Sequence, residues 1–306
     1  GSGSFLLGAF QKLIDYHIEW YTQHPEDIKE MHGVRDVYED AQGQLRLSSR
    51  KKREILINNI YGVDIDPQAV EVTQMSLYLK VLEDENDATL NKPTMLALHE
   101  VLLPPLKNNI KCGNSLIGTD FYAQGELFDE DTRRKVNAFD WEMEFKEIME
   151  SGGFDCVIGN PPYSLDIDAR QKEYSRNKFK TLHFKINLFA CFAERAIDLT
   201  REGGYVSYIV PNLLFANDSL SKLREKFASQ TSIETLVNCG DGVFEKVSMP
   251  TMIYVLRNGK PKNHVVSVFP LAGVSLDLTH KVSLEQRRIL NAHNFVFETA
   301  DTDVTA

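Results

Sequence analysis

Residues 154–166, FDCVIGNPPYSLD, carry an apolar run that ends in Asn160-Pro161-Pro162-Tyr163. The two prolines withdraw two backbone donors and stiffen the chain, which leaves the neighbouring carbonyls as acceptors pointing out of a strand end. An Asn160 side-chain oxygen beside the Pro161 carbonyl gives two acceptors in a fixed arrangement, matched to the two hydrogens of an amino group. Tyr163 is expected to be an exposed ring with a flat face for a planar partner. The plainer alternative is a rigid turn that closes a strand, its ring packed on the surface.

Other segments carry groups suited to binding. Asp64 closes NNIYGVDID just before a helix. A carboxylate there accepts from both hydroxyls of a ribose, although capping of the next helix by Asp64 or Asp66 accounts for the same residues. The opening GSGSF is a glycine turn of the kind that lets a ligand approach the backbone. After the prolines, ARQKEYSRNKFKTLHFK sets Arg170, Lys172, Arg176, Lys178, Lys180 and Lys185 against Glu173 alone. Such a loop can follow phosphates while Tyr174 or Phe179 packs beneath, or it is simply solvated. A second basic cluster, SSRKKRE at 48–54, reads as a helix surface. No His, Cys and carboxylate grouping has the spacing of a metal site, so no metal is expected.

The elements that must position these groups alternate. Helical spacing runs from Phe5 to about Gln23, and residues 25–50 form a polar insert with one short hairpin around Gly43. A strand ending at Asp64 leads into a helix to Leu82, and NNIKCGNSLIG is a strand and turn. Residues 130–150 read as one charged amphipathic helix, followed by the strand FDCVIG and a helix from about Phe184 to Thr200. YVSYIVP, a helix capped by Asp218 or Ser219, IETLVNC and TMIYVLRN complete the series. This order predicts an α/β fold, a mainly parallel sheet with helices on both faces, and a binding crevice at the carboxyl ends of the strands.

Composition narrows the class. The chain has 306 residues, 42% of them hydrophobic, and no apolar run long enough for a membrane span. Cys112, Cys156, Cys191 and Cys239 form no CxxC pair and sit in apolar contexts, which predicts buried reduced thiols and a cytoplasmic location. The net charge of -10 excludes a protein that coats nucleic acid generally, while leaving room for one local basic face.

Asn160-Pro161-Pro162-Tyr163 after an apolar strand resembles the signature of S-adenosylmethionine-dependent methyltransferases acting on amide-like or amino nitrogens, above all the N6-adenine DNA methyltransferases. GSGSFLLGAF is similar to the end of that family's cofactor loop, implying contacts from Gly1, Gly3 and Phe5. YGVDIDPQAVEVTQMSL resembles the second cofactor motif, with Asp64 on the ribose and Ile65 against the cofactor adenine. KCGNSLIG occupies the next motif, where Asn114 stands in place of a frequent Asp and Asn114 and Ser115 would touch the cofactor. NLFACFAERAIDLTREGGYVSYIVP brings Leu188 and Phe189 near the cofactor, and GDGVFEKVSMPTMIYVL supplies Phe244 to a flipped base.

The resemblance implies a Rossmann-like class I methyltransferase domain over residues 1–262, N-terminally truncated, its first strand missing from this chain, with an insert at about 20–58. Residues 263–306 are expected to be a linker or the start of a target-recognition region. The insert is most like that of type IIG restriction-modification enzymes and related phage-defence methyltransferases, in which a nuclease domain precedes and a target-recognition domain follows. The implied partner is double-stranded DNA, the cofactor S-adenosylmethionine, and no membrane is involved. The competing readings are a protein-glutamine or RNA methyltransferase and a non-catalytic DNA-binding fragment.

Overall fold

The computed structural model describes residues 3–31, 33–83, 105–123, 128–163, 167–182, 186–244, 249–270 and 272–297. The chain divides into two compact units, Gly1–Ser115 and Leu116–Ala306.

In the first unit, α1 (Ser4–Gln23) buries Phe10, Ile14 and Tyr21 along one face, as its 3.6-residue period requires. Pro25 opens a 3₁₀ turn directly behind it. The insert forms two small hairpins, β1 (Glu30–Met31) with β2 (Val34–Arg35) and β3 (Val37–Glu39) with β4 (Leu45–Leu47). The second is the hairpin expected around Gly43, whose φ of 74° turns it. Ser48 caps α2 (Ser49–Asn59), which carries the basic cluster and buries Ile55, Leu56 and even Lys52. Next come β5 (Gly62–Asp64), α3 (Pro67–Leu82) and β6 (Ile110–Cys112), with β5 and β6 paired in parallel through Asp64 and Cys112. Gly62 is bare of a side chain where α1 needs it: a Cβ there would stand 2.6 Å from Leu6 Cδ1.

In the second unit, the single helix expected over 130–150 is three: α4 (Glu130–Val136), α5 (Trp141–Glu144) and α6 (Lys146–Glu150). Asn137, left-handed with φ 47°, closes the first, and Phe145 leaves helical geometry between the others. The breaks let Phe139, Trp141, Phe145 and Phe154 pack ring against ring, with centroids 5.2–6.0 Å apart.

Six strands then build one sheet: β7 (Phe154–Gly159), β8 (Thr200–Pro211), β9 (Thr231–Gly240), β10 (Thr251–Asn258), β11 (Val265–Phe269) and β12 (Val282–Glu285). Their order is β12-β11-β9-β10-β8-β7. The pairs β7/β8 and β9/β11 are parallel, whereas β10 is antiparallel to both β8 and β9. Hence β7, β8, β9 and β11 run one way, and β10 and β12 the other. The connecting helices are α7 (Ala169–Lys178), α8 (Leu188–Leu199), α9 (Ser221–Gln230) and α10 (Gln286–Asn291). The expected cap at Asp218 or Ser219 is Asn217 instead, which accepts from Ser219 N and starts a 3₁₀ turn ahead of α9.

Within residues 263–306, expected to be a linker or the start of a target-recognition region, the described part joins the core of the second unit. Val266, Val268, Leu284, Ile289 and Phe297 bury in the same core as Tyr208, Phe227 and Met252. Arg224, wholly buried, donates to the carbonyls of Leu214, Asn217, Asn294 and Phe295, pinning residues 293–297 to the segment after β8. Two cysteines also depart from expectation: Cys191 and Cys239 are buried, but Cys112 at the end of β6 and Cys156 in β7 are exposed. Among the described residues no helix is long and apolar enough to cross a membrane.

Candidate active site

Strand β7 delivers the Asn-Pro-Pro-Tyr turn at its carboxyl end. Its last residue, Gly159, lies opposite Tyr208 of β8, and a Cβ at 159 would come within 3.1 Å of the Tyr208 ring. Glycine therefore lets the strand end lie on that ring. Asn160 follows, exposed, with Pro161 buried and Pro162 half-buried. Because Thr251 pairs with both Pro211 and Gly240, strands β8 and β9 end at the same edge of the sheet as β7. Asn160, Asn212 and the bend carrying Phe244 thus leave the sheet at one edge, with Phe244 half-buried.

Tyr163 is not the exposed ring expected. It is half-buried, and its hydroxyl is enclosed with no hydrogen-bond partner among the described residues. Burial, helped by the nearby Cys239 thiol, pushes its pKa up to about 12. Cys239, at the end of β9, packs with Val237, Ala272, Val243, Ile253 and Phe269. The ring is thereby wedged toward the end of β9, its hydroxyl inward.

The basic segment is a helix rather than a loop. Asp168 and Gln171 form a reciprocal capping box that starts α7. Arg170, Lys172, Arg176, Lys178 and Lys180 are all exposed, while Tyr174 and Phe179 are buried beneath them as expected. The Tyr174 hydroxyl donates to Asp120 Oδ1 at 2.6 Å and accepts from Gly118 N at 3.1 Å. Lys178 pairs with the same carboxylate at 2.8 Å. Burial opposes ionisation of Asp120, but Lys178 and Tyr174 outweigh it and hold the carboxyl below its usual range. Leu188 and Phe189, expected beside a cofactor, are 4% and 3% exposed at the start of α8.

Asp120 and Glu194 are the anchors that sequence reading missed. Glu194 left a trace, as a charge inside the apolar run NLFACFAERAIDL. It is buried because Lys180 N, Thr181 N and the Thr181 hydroxyl all donate to it.

In the first unit, the ends of β5 and β6 gather a second set of groups. Asp66, not Asp64, caps α3 by accepting from Gln68 N, and Asp64 accepts from Asp66 N at 2.9 Å. Of the two roles open for Asp64, capping is therefore taken by its neighbour. Ile65 is 48% exposed, and Gly113 N donates to the Asp64 carbonyl, which sets Asn114 and Ser115 beside the same edge, both half-buried. Gly3 stands left-handed at the start of α1, where a Cβ would meet Thr73 at 2.6 Å, and Phe5 is 45% exposed. Gly1 lies outside the described residues. A carboxylate, an exposed aliphatic face and an amide at one strand edge fit the ribose and base of a nucleoside. Among the described residues no group of three or more His, Cys, Asp or Glu is placed to hold a metal ion.

Residues 58–244 match the family described as Eco57I restriction-modification methylase. The type II restriction enzyme and methyltransferase RM.Eco57I of Escherichia coli is 29% identical over 271 residues, covering 86% of this chain and 24% of that protein. The adenine-specific methyltransferase PglX of Streptomyces coelicolor is 24% identical over 289 residues, covering 87% and 21%. The chain thus spans about a quarter of the length of these curated relatives. A nuclease-deletion mutant of the Type ISP restriction-modification enzyme LlaGI, solved with a DNA substrate mimic, superposes with a TM-score of 0.56 over 93% of this chain and 23% of that one at 12% identity. That likeness is one of fold. The α/β architecture is Rossmann-like. The chain belongs to the Eco57I restriction-modification methylase family.

Proposed function

We propose that this chain transfers the methyl group of S-adenosylmethionine to the N6 amino group of adenine in double-stranded DNA, within a larger cytoplasmic restriction-modification or phage-defence protein. The observation that carries the reading is the Asn160-Pro161-Pro162-Tyr163 turn at the carboxyl end of β7, in a chain of this family.

The amino lone pair of adenine is delocalised into the ring and is a poor nucleophile. Asn160 Oδ1 and the Pro161 carbonyl accept its two hydrogens, favouring a tetrahedral nitrogen and localising the lone pair, a form of orientation and electrostatic stabilisation. Asp64, Ile65, Asn114, Ser115, Gly3 and Phe5 hold the cofactor. When bound, S-adenosylmethionine supplies an electrophilic sulfonium methyl. The target base leaves the helix to reach the turn, at a cost of a few kcal/mol. Stacking on Tyr163 and Phe244 offsets part of that, at roughly 1–3 kcal/mol per base. Readout of the DNA sequence, and any cleavage, belongs to other regions of the parent protein, whose relatives are about four times as long as this chain.

The test is transfer of label from S-adenosylmethionine to unmethylated duplex DNA, with nucleoside analysis of the product. N6-methyl-2′-deoxyadenosine that vanishes in Asn160→Ala, while cofactor binding persists, is the expected result. Label in RNA or protein instead of DNA, or an active Asn160→Ala enzyme, overturns the reading.

A further inference from the structure

The second unit contains an aromatic wall that the turn chemistry does not use. Tyr122, Phe128, Phe121 and Tyr174 follow one another with centroids 5.4–5.5 Å apart. Each end and the middle carry a cation. Arg133 of α4 lies over Tyr122 at 5.0 Å, Arg170 of α7 over Phe128 at 5.6 Å, and Lys178 over Tyr174 at 5.8 Å.

The wall is fixed from behind. Tyr122 donates to the Arg133 carbonyl and accepts from Ala138 N, while Arg133 Nε donates to the Phe128 carbonyl. Arg133 and Arg170 are nonetheless exposed. A guanidinium lying on a ring is held in orientation by its face, and its edge of N–H donors matches the two oxygens of a phosphate. Several nearby carboxylates are occupied: Asp120 with Lys178, Glu130 with Arg134 at 3.7 Å, and Asp129 as the cap of α4. Asp131 and Glu173 are exposed close by and temper the field.

We propose that Arg133 of α4, presented by this wall, grips the phosphate backbone of the DNA independently of its sequence, beside the Arg170 already expected there. The inference rests on the DNA reading above. Position supports it: α7 starts six residues after Tyr163, a span of at most about 20 Å, so a base held at the turn brings its own backbone near the wall.

The experiment measures duplex binding by the intact protein as a function of salt, on DNA of unrelated sequences. Arg133→Ala should weaken binding equally on all of them and make the slope of log K against log salt shallower by roughly 0.9. Arg133→Lys should keep most of the slope while losing affinity, because the charge remains without the planar fork. Lys146→Ala, which removes an equal charge from α6, should leave the slope unchanged. If Arg133→Ala unfolds, Arg133→Gln retains a donor for the Phe128 carbonyl and serves in its place. An unchanged slope in a variant that still methylates DNA overturns the grip and leaves the enzymatic reading standing. Failure of the parent protein to bind or methylate any duplex overturns both.

Discussion

Glu194 of α8 accepts from the backbone N–H and from the hydroxyl of Thr181, at 2.9 and 2.7 Å, and so ties the exit of the basic helix to the core. Burial alone would raise the Glu194 pKa. The donors on Thr181 and Lys180 and the charge of Lys226 outweigh it, and the carboxyl is held below its usual range. A depressed carboxyl contributes stability above its unfolded pKa, and that stability is lost as pH falls through the folded value. Glu194→Gln is expected to cost about 1.5–3 kcal/mol at pH 7, with the difference from the parent shrinking in acid, as read by denaturant unfolding across pH.

Tyr163 gives the opposite expectation. Its buried hydroxyl has no partner among the described residues, so Tyr163→Phe should leave thermal stability equal or raise it by about 1 kcal/mol. With a pKa near 12, the phenol stays neutral and contributes no limb to the pH–rate profile below pH 10. Tyr163→Ala removes the stacking face and should raise KM for DNA more than it lowers kcat.

Gly159 tests how closely the turn must be placed. The Cβ of Gly159→Ala meets Tyr208 at 3.1 Å and shifts the strand end or the ring by a few tenths of an ångström. We expect a fall in kcat of roughly tenfold with cofactor affinity retained, measured by single-turnover transfer.

Arg224 is worth more to the fold than to the chemistry. Burial pulls its pKa down to about 10, yet it remains charged at neutral pH and donates to four carbonyls. Arg224→Met leaves those carbonyls enclosed without donors and should cost at least about 3 kcal/mol in equilibrium unfolding.

What could be read from the residues alone was whatever local chemistry dictates. Pro161 and Pro162 end β7 in any context, Pro67 behind Asp66 starts α3, and the spacing of Phe10 and Ile14 makes α1 amphipathic. Where the outcome depends on a distant partner, the reading failed. The polar stretch 169–178 is a helix whose Tyr174 is secured by Asp120, 54 residues earlier. Val266 and Val268 join the sheet through β9, a pairing that no local pattern announces. The local sequence gives no sign that Tyr163 is half-buried, because its burial depends on the end of β9, where Cys239 sits. The groups proposed for binding were legible by type, while the anchors Asp120 and Glu194 were not, since their value lies entirely in what they touch.

The position of β10 has a kinetic consequence. Made after both of its neighbours, it must enter between β8 and β9, where Met252, Tyr254 and Leu256 are completely enclosed. During synthesis, β8 emerges complete at Pro211, but its neighbour is finished only at Asn258, 47 residues later. At roughly 5–20 residues per second that leaves β8 with a bare edge for about two to ten seconds. In that interval the nascent chain offers a long apolar strand to any other nascent copy, and a chaperone or slow translation of the β9 to β10 link would decide its yield.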